Sequence, residues 1–134
     1  MTKLKVYYNP DPDDDGRKNT KANVLISIDG MPCVNPIRAH NELIRGKVQT
    51  SKLQRDRNDP VGIFSITGTY SLIEYANGIP HESFYGVGDI PPIDYATISQ
   101  DDLKKILLDR FASIRDKLID PDIEIECIRG VPPT

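Results

Sequence analysis

The stretch IFSITGTYSLIEYA, residues 63–76, decides how the fold of this sequence is read. Through its first ten residues apolar and hydroxyl-bearing side chains largely alternate, and the parity does not change across Gly68. A period of two is typical of a half-buried β-strand. We therefore predict one long strand over residues 63–76, bent at the glycine.

Asn77-Gly78 follows this strand, and the dipeptide is a strong signal for a two-residue hairpin turn. The predicted return strand covers residues 79–87. A two-residue turn places Glu74 opposite His81 and Tyr70 opposite Tyr85. A Glu–His pair can form a proton-transfer unit, and it is also a common exposed cross-strand pair. Both interpretations stay open at this point.

Before this hairpin, the sequence predicts strands over residues 4–8 and 23–28. The turn Asp29-Gly30 leads into a short edge strand at residues 31–34, which contains Pro32. Asn35 is placed to cap a helix, with Pro36 at its first position. We expect this helix to cover residues 37–45 and to end at Gly46.

After the hairpin, Ser99 is placed to cap a second helix that extends to about Ile119. A last strand is predicted over residues 123–128. The order is therefore β-β-β(short)-α-β-β-α-β. We predict an α+β fold, in which a mainly antiparallel sheet of five to six strands carries both helices on one face.

The composition describes one domain, residues 1–134, with a net charge of −3. We expect residues 9–21 and 130–134 to be flexible. The acidic balance argues against nucleic acid as a partner, and no apolar run is long enough to cross a membrane. Cys33 and Cys127 form no CxxC motif, which favours free thiols in a cytoplasmic protein, with a single disulfide between them as the alternative.

Arg110 is the most unusual residue of the second helix. At 100° per residue it falls within the apolar arc, and Lys117 falls beside it. An arginine in that position must reach past the edge of the core or meet a buried acid or anion. The structural alternative is a pair with Glu124 or Glu126 of the last strand, or with a partner chain. The functional alternative is a clamp for a phosphate or carboxylate.

His40 falls on the core-facing side of the first helix, either as a satisfied core residue or as a ligand contact or base. The stretch 45–57 holds five basic residues against one acid, and Arg55 and Arg57 are its candidate ligand-binding residues. The alternative is a solvated loop. Candidate stacking residues for a ligand are aromatic and lie in the hairpin: Tyr70, Phe84 and Tyr85.

Asp11, Asp13 and Asp15, followed by Gly16, match the first half of a calcium-binding loop. Ala22 stands where that pattern requires a bidentate glutamate, so a solvated turn is the alternative. Calcium is the one metal considered, and no other cofactor is expected.

These observations favour a non-catalytic, homo-oligomeric binding protein, most simply a homodimer. The predicted ligand is an anionic small molecule, nucleotide-like or phosphorylated, held by Arg110 and the stretch 45–57. An interaction or inhibitor module with an acidic protein partner is the first alternative. A small enzyme that uses His40, or Glu74 with His81, as acid and base is the second.

Overall fold

A computed structural model of the chain describes residues 1–10, 22–44, 48–49, 62–66, 70–76, 79–85 and 92–133. The strands are β1 (Thr2–Pro10), β2 (Ala22–Ile28), β3 (Val48–Gln49), β4 (Tyr70–Ala76), β5 (Ile79–Tyr85) and β6 (Ile123–Arg129). The helices are α1 (Pro36–Leu43) and α2 (Gln100–Ser113). Among the described residues, 3-10 turns cover Gly62–Phe64 and Arg115–Lys117.

The described strands form two three-stranded sheets, so the prediction of one sheet of five to six mainly antiparallel strands is wrong. The mixed sheet has the order β2-β1-β6, in which β2 is antiparallel to β1 and β6 is parallel to it. The second sheet has the order β3-β4-β5 and is antiparallel. Two parallel strands must be joined by a connection that crosses from one end of the sheet to the other. The chain between β1 and β6 includes α2, which packs against β6.

The predicted single strand over residues 63–76 is also wrong in its first part. Ile63 and Phe64 belong to a 3-10 turn, and both are fully buried. A half-buried strand sends consecutive side chains to opposite faces, so one of the two would meet solvent there. Burial of both side chains favours the turn, and β4 begins only at Tyr70.

The hairpin register predicted from Asn77-Gly78 is confirmed. Tyr70 is paired with Tyr85, and Glu74 is paired with His81. The return strand ends at Tyr85 rather than at Val87. After the Asp29-Gly30 turn, the predicted edge strand is reduced to one bridge, between Val34 and Ile26.

Both helix N-caps are confirmed. The side chain of Asn35 accepts a hydrogen bond from the Arg38 N–H, and that of Ser99 accepts one from the Asp102 N–H. Both helices end earlier than predicted. The backbone is extended at Ile44, and α2 passes into the 3-10 turn after Ile114.

The core lies between the helices and one face of the mixed sheet, which we call the inner face. Side chains from β1, β2 and β6 meet those of α1 and α2 there. The sheet contributes Leu4, Val6, Tyr8, Val24, Ile26, Ile125 and Cys127, and α2 contributes Leu103, Leu107 and Phe111. The opposite, outer face of the mixed sheet carries residues of the other parity, including Lys3, Lys5, Tyr7, Ser27, Glu124 and Glu126.

Candidate functional site

Two of the site residues predicted from the sequence, His40 and Arg110, belong to a polar cluster in the core. His40, Tyr95 and Arg110 are buried, and all three form hydrogen bonds with the backbone of residues 63–65. This backbone belongs to a 3-10 turn and the residue after it. The three side chains therefore fix this segment against the helices.

Arg110 is 2% exposed, and its Nη1 donates to the carbonyls of Ile63 at 2.7 Å and Ser65 at 2.8 Å. This contact accounts for an arginine on the apolar side of α2. The predicted pairing with Glu124 or Glu126 is not what the structure shows, because both glutamates are exposed on the outer face of the mixed sheet. A role for Arg110 in ligand binding stays a prediction.

His40 is fully buried, and its Nδ1 accepts a hydrogen bond from the Ile63 N–H at 3.1 Å. Burial lowers the pKa of the imidazole to about 4. The ring is therefore neutral at pH 7 with its proton on Nε2, and its lone pair already accepts from the backbone. This arrangement does not favour His40 as a general base, since a base needs a free lone pair facing a substrate.

Tyr95 completes the cluster by donating from its hydroxyl to the Phe64 carbonyl at 2.7 Å. Its ring lies against that of Tyr8 on the inner face, with centroids 6.1 Å apart. Burial raises the pKa of the Tyr95 hydroxyl, so it stays protonated and keeps its role as a donor. Tyr95 was not among the site residues predicted from the sequence.

The other predicted ligand-binding residues are not brought together by the described structure. Lys117 is half-buried in the 3-10 turn after α2. Tyr70, Phe84 and Tyr85 lie in the hairpin of the second sheet, where only the backbone is described. Arg55 and Arg57 lie outside the described residues, and so do the acidic residues Asp11, Asp13 and Asp15.

Two residues of the basic stretch 45–57 are placed by the structure. Val48 and Gln49 form β3, and Val48 is paired with Glu74, the residue that also pairs with His81 on the other side. The edge of the second sheet therefore includes part of the stretch 45–57. Proton transfer between Glu74 and His81 stays a prediction.

The outer face of the mixed sheet carries the main surface feature that the sequence analysis missed. An open groove of about 880 Å³ lies along it. Lys3, Lys5 and Tyr7 of β1 line this groove with Ser27 of β2 and with Asp29 and Gly30, which follow β2. The Asp29 carboxylate accepts a hydrogen bond from the Lys3 backbone N–H. The other lining residues, which we call the rim, are Met1, Met31, Pro32, Cys33, Pro132 and Pro133. Both lysines are exposed, and neither forms an ion pair within the part of the chain that the structure describes.

Much of the exposed apolar surface lies at this groove. Met1 is 69% exposed and Met31 is 64% exposed, and Val131, next to the lining prolines, is 72% exposed. Methionine side chains are flexible and polarizable, and are common on binding surfaces that adapt to their partner. Exposed apolar residues beside unpaired cations are typical of an interaction surface.

The two cysteines are free and lie on opposite sides of the mixed sheet, so no disulfide joins them. Cys33 is half-buried at the groove, and Cys127 is buried on the inner face. Burial raises the pKa of the Cys127 thiol to about 12, which keeps this thiol protonated and unreactive.

Comparison of the chain with protein-family models, curated proteins and solved structures finds no match. The described residues contain no group of three His, Cys, Asp or Glu side chains that could hold a metal ion. Within the same residues, α1 and α2 are both too short and too polar to cross a bilayer.

A local signal for the groove was present in the sequence. In β1, Lys3, Lys5 and Tyr7 share one parity, and the apolar residues Leu4 and Val6 share the other. Tyr7 therefore places a large and mostly apolar ring on the face of the strand that is predicted to meet solvent. Such a ring indicates that other residues pack on that face. The structure leaves Tyr7 only 9% exposed, beside the groove.

Proposed function

We propose that this chain is a non-catalytic binding protein that recognises an anionic group through Lys3 and Lys5 on the outer face of the mixed sheet. The observation that supports the proposal is the position of these lysines. They stand side by side in an open groove, and the described residues supply neither of them with an ion pair.

The strand that carries the lysines makes them a fixed pair. β1 is the central strand of the mixed sheet and is hydrogen-bonded on both sides. Residues two apart on a strand lie on the same face, roughly 6.6 Å apart along its axis. Carboxylate or phosphate oxygens can accept hydrogen bonds from both ammonium groups, and charge-assisted hydrogen bonds of this kind are the stronger ones.

The groove supplies the apolar part of the surface. Met1, Met31 and the two prolines at its rim can cover the carbon skeleton of a bound group and exclude water from the ion pairs. An ion pair gains strength when water is excluded, because the effective dielectric constant falls. We therefore expect affinity for an anion attached to an apolar or peptide framework.

The proposed anion site is formed by Lys3 and Lys5, whereas the sequence analysis placed it at Arg110. The guanidinium is almost fully enclosed and holds two backbone carbonyls, whereas Lys3 and Lys5 are exposed. Arg55 and Arg57 remain predicted ligand contacts outside the described residues. The charge of the predicted ligand is unchanged, and the surface that receives it is different.

An NMR titration tests the proposal with citrate, inorganic phosphate and ATP as three separate probes. We expect saturable shifts of the backbone amide signals of residues 3–5. These shifts should be lost in the double variant Lys3→Gln/Lys5→Gln. The matched control is Lys104→Gln/Lys105→Gln, which removes two exposed lysines from α2 and should respond like the wild type. The proposal is wrong if no probe shifts these amides at protein concentrations where the chain is monomeric, or if the Lys3/Lys5 variant binds as well as the control.

A further inference from the structure

We infer that the anionic group bound by Lys3 and Lys5 belongs to a second copy of this chain, whose Glu124 and Glu126 face the two lysines across a homodimer interface. The inference rests on the proposed function, because it uses the same two lysines. It names the partner and the carboxylates that they bind.

The evidence is the register between β1 and β6. Lys3 is directly paired with Glu124, and Lys5 is directly paired with Glu126. All four residues are exposed on the outer face. This face therefore carries a basic row on one strand and an acidic row on the next strand, with the charges at equal heights.

A two-fold axis turns this pattern into its own complement. Consider an axis that runs parallel to the strands, between β1 and β6, in the plane that separates two outer faces. The rotation places β1 of the second copy over β6 of the first, and keeps the height along the strands unchanged. Lys3 then faces Glu124 of the second copy, and Lys5 faces Glu126. The same contacts are repeated by symmetry, as in other isologous dimers.

The distances of sheet packing suit this arrangement. Two sheets packed face to face lie about 10 Å apart, with their strands within about 30° of each other. A lysine and a glutamate that extend toward each other from the two faces meet across such a gap. Within one chain the paired residues stand beside each other instead, and no ion pair joins Lys3 or Lys5 to a described acid.

The exposed apolar residues supply the second part of the interface. Met1 and Met31 line the groove beside the lysines, and Val131 lies next to its proline rim. Exposed ion pairs contribute little affinity individually. Burial of the methionines and of Val131 is therefore expected to hold the copies together, while the charged rows set their register and their specificity.

The charge pattern favours a second copy over other occupants. A polyanionic ligand over Lys3 and Lys5 would also lie near Glu124 and Glu126, one strand away. A basic peptide over the glutamates would meet the lysines in the same way. Both rows are neutralised only by a surface that carries an acidic row and a basic row at the spacing of adjacent strands. The outer face of a second copy of this chain has that pattern.

Charge reversal tests this inference by sedimentation velocity and light scattering. We expect the wild type to be a dimer. The variant Lys3→Glu/Lys5→Glu has acids at all four positions of the two rows, and Glu124→Lys/Glu126→Lys has bases at all four, so each is expected to be a monomer. An equimolar mixture of the two variants should form a heterodimer, because the acidic rows of one complement the basic rows of the other. The control Lys104→Glu/Lys105→Glu reverses exposed charges on α2 and should stay dimeric.

A monomeric wild type would overturn the inference, as would a dimer that persists in both reversed variants. Failure of two folded variants to associate would overturn the Lys–Glu pairing. Should either variant fail to fold, the wild type alone decides the question. Its dimer dissociation constant should rise by about tenfold or more from low to high salt, because the pairs are screened, and an unchanged constant would contradict the inference.

The two proposals fail in different ways. Free citrate or phosphate that binds at Lys3 and Lys5 of a monomeric chain would leave the proposed function standing and remove the inference. If a dimer forms elsewhere and neither free anions nor glutamates engage the lysines, both proposals are wrong.

Discussion

The guanidinium of Arg110 donates to the Ile63 and Ser65 carbonyls inside the core, so its removal leaves both acceptors without that donor. We expect Arg110→Met to lower the free energy of unfolding by about 3 kcal/mol, because methionine keeps the length but cannot donate. Tyr95→Phe removes one neutral hydrogen bond and should cost about 1 kcal/mol.

Urea denaturation measures both losses, with Arg115→Met as the control. Arg115 is exposed in the turn after α2, and its replacement should change stability by no more than about 0.5 kcal/mol. Equal effects of Arg110→Met and Arg115→Met would show that the buried contacts add nothing to stability.

His40 makes stability depend on pH in the acid range. Its pKa is 6.5 in the unfolded chain and about 4 in the folded protein, since burial disfavours the charged ring. The unfolded state therefore binds more protons between these values. The stabilisation is fully present above about pH 6.5, is lost as the pH falls toward 4, and amounts to about 3 kcal/mol.

Asp120 also loses stabilisation in acid, because its pKa is lowered chiefly by a hydrogen bond from the Asp122 N–H. A comparison with His40→Asn isolates the histidine, since the asparagine oxygen can still accept from Ile63. Urea unfolding from pH 7 to pH 4 should show a smaller loss of stability in the variant. Parallel curves for the two proteins would exclude His40 as the source.

At the scale of the elements, Ser99 shows how a single side chain sets a boundary. Its hydroxyl accepts from the Asp102 N–H at 3.1 Å and so begins α2. Ser99→Ala is expected to cost about 1 kcal/mol, and Ser99→Asn should keep most of the stability because asparagine also caps. Thermal unfolding of the three proteins measures the difference. A destabilised asparagine variant would mean that another feature of Ser99 is responsible.

The elements differ in how far the sequence predicted them. The register of β4 with β5 follows from a two-residue turn and is correct, because the turn alone fixes which residues meet. The parallel pairing of β1 with β6 was missed. No local turn connects these strands, and their contact is selected only by packing of the whole chain.

At the scale of the whole molecule, β6 brings the C-terminal part of the described chain against the N-terminal strand β1. It pairs along β1, packs against α2 and contributes Ile125 and Cys127 to the core. A chain that ends at Asp122 is therefore expected to lose cooperative unfolding. A chain that ends at Gly130 keeps β6 and should stay folded. Circular dichroism during urea unfolding distinguishes the two, and a cooperative transition in the shorter chain would contradict this role of β6.

By itself, the sequence determined features that depend on a few neighbouring residues. Asn35 and Ser99 cap their helices, the two-residue connection between β4 and β5 sets the register of that pair, and His40 lies on the buried side of α1. Each follows from local backbone geometry or from a short periodicity, which act before distant parts of the chain meet.

Only the tertiary structure decided what Arg110 binds and which rows of charge lie side by side on the outer face. The angular position of Arg110 around the helix axis showed that it faces the core. Its two acceptors lie more than forty residues earlier in the chain, in a segment predicted as strand. Lys3 and Glu124 become neighbours because β1 and β6 pair in parallel. Such contacts are fixed by the balance of burial and hydrogen bonding over the whole chain, which no local pattern contains.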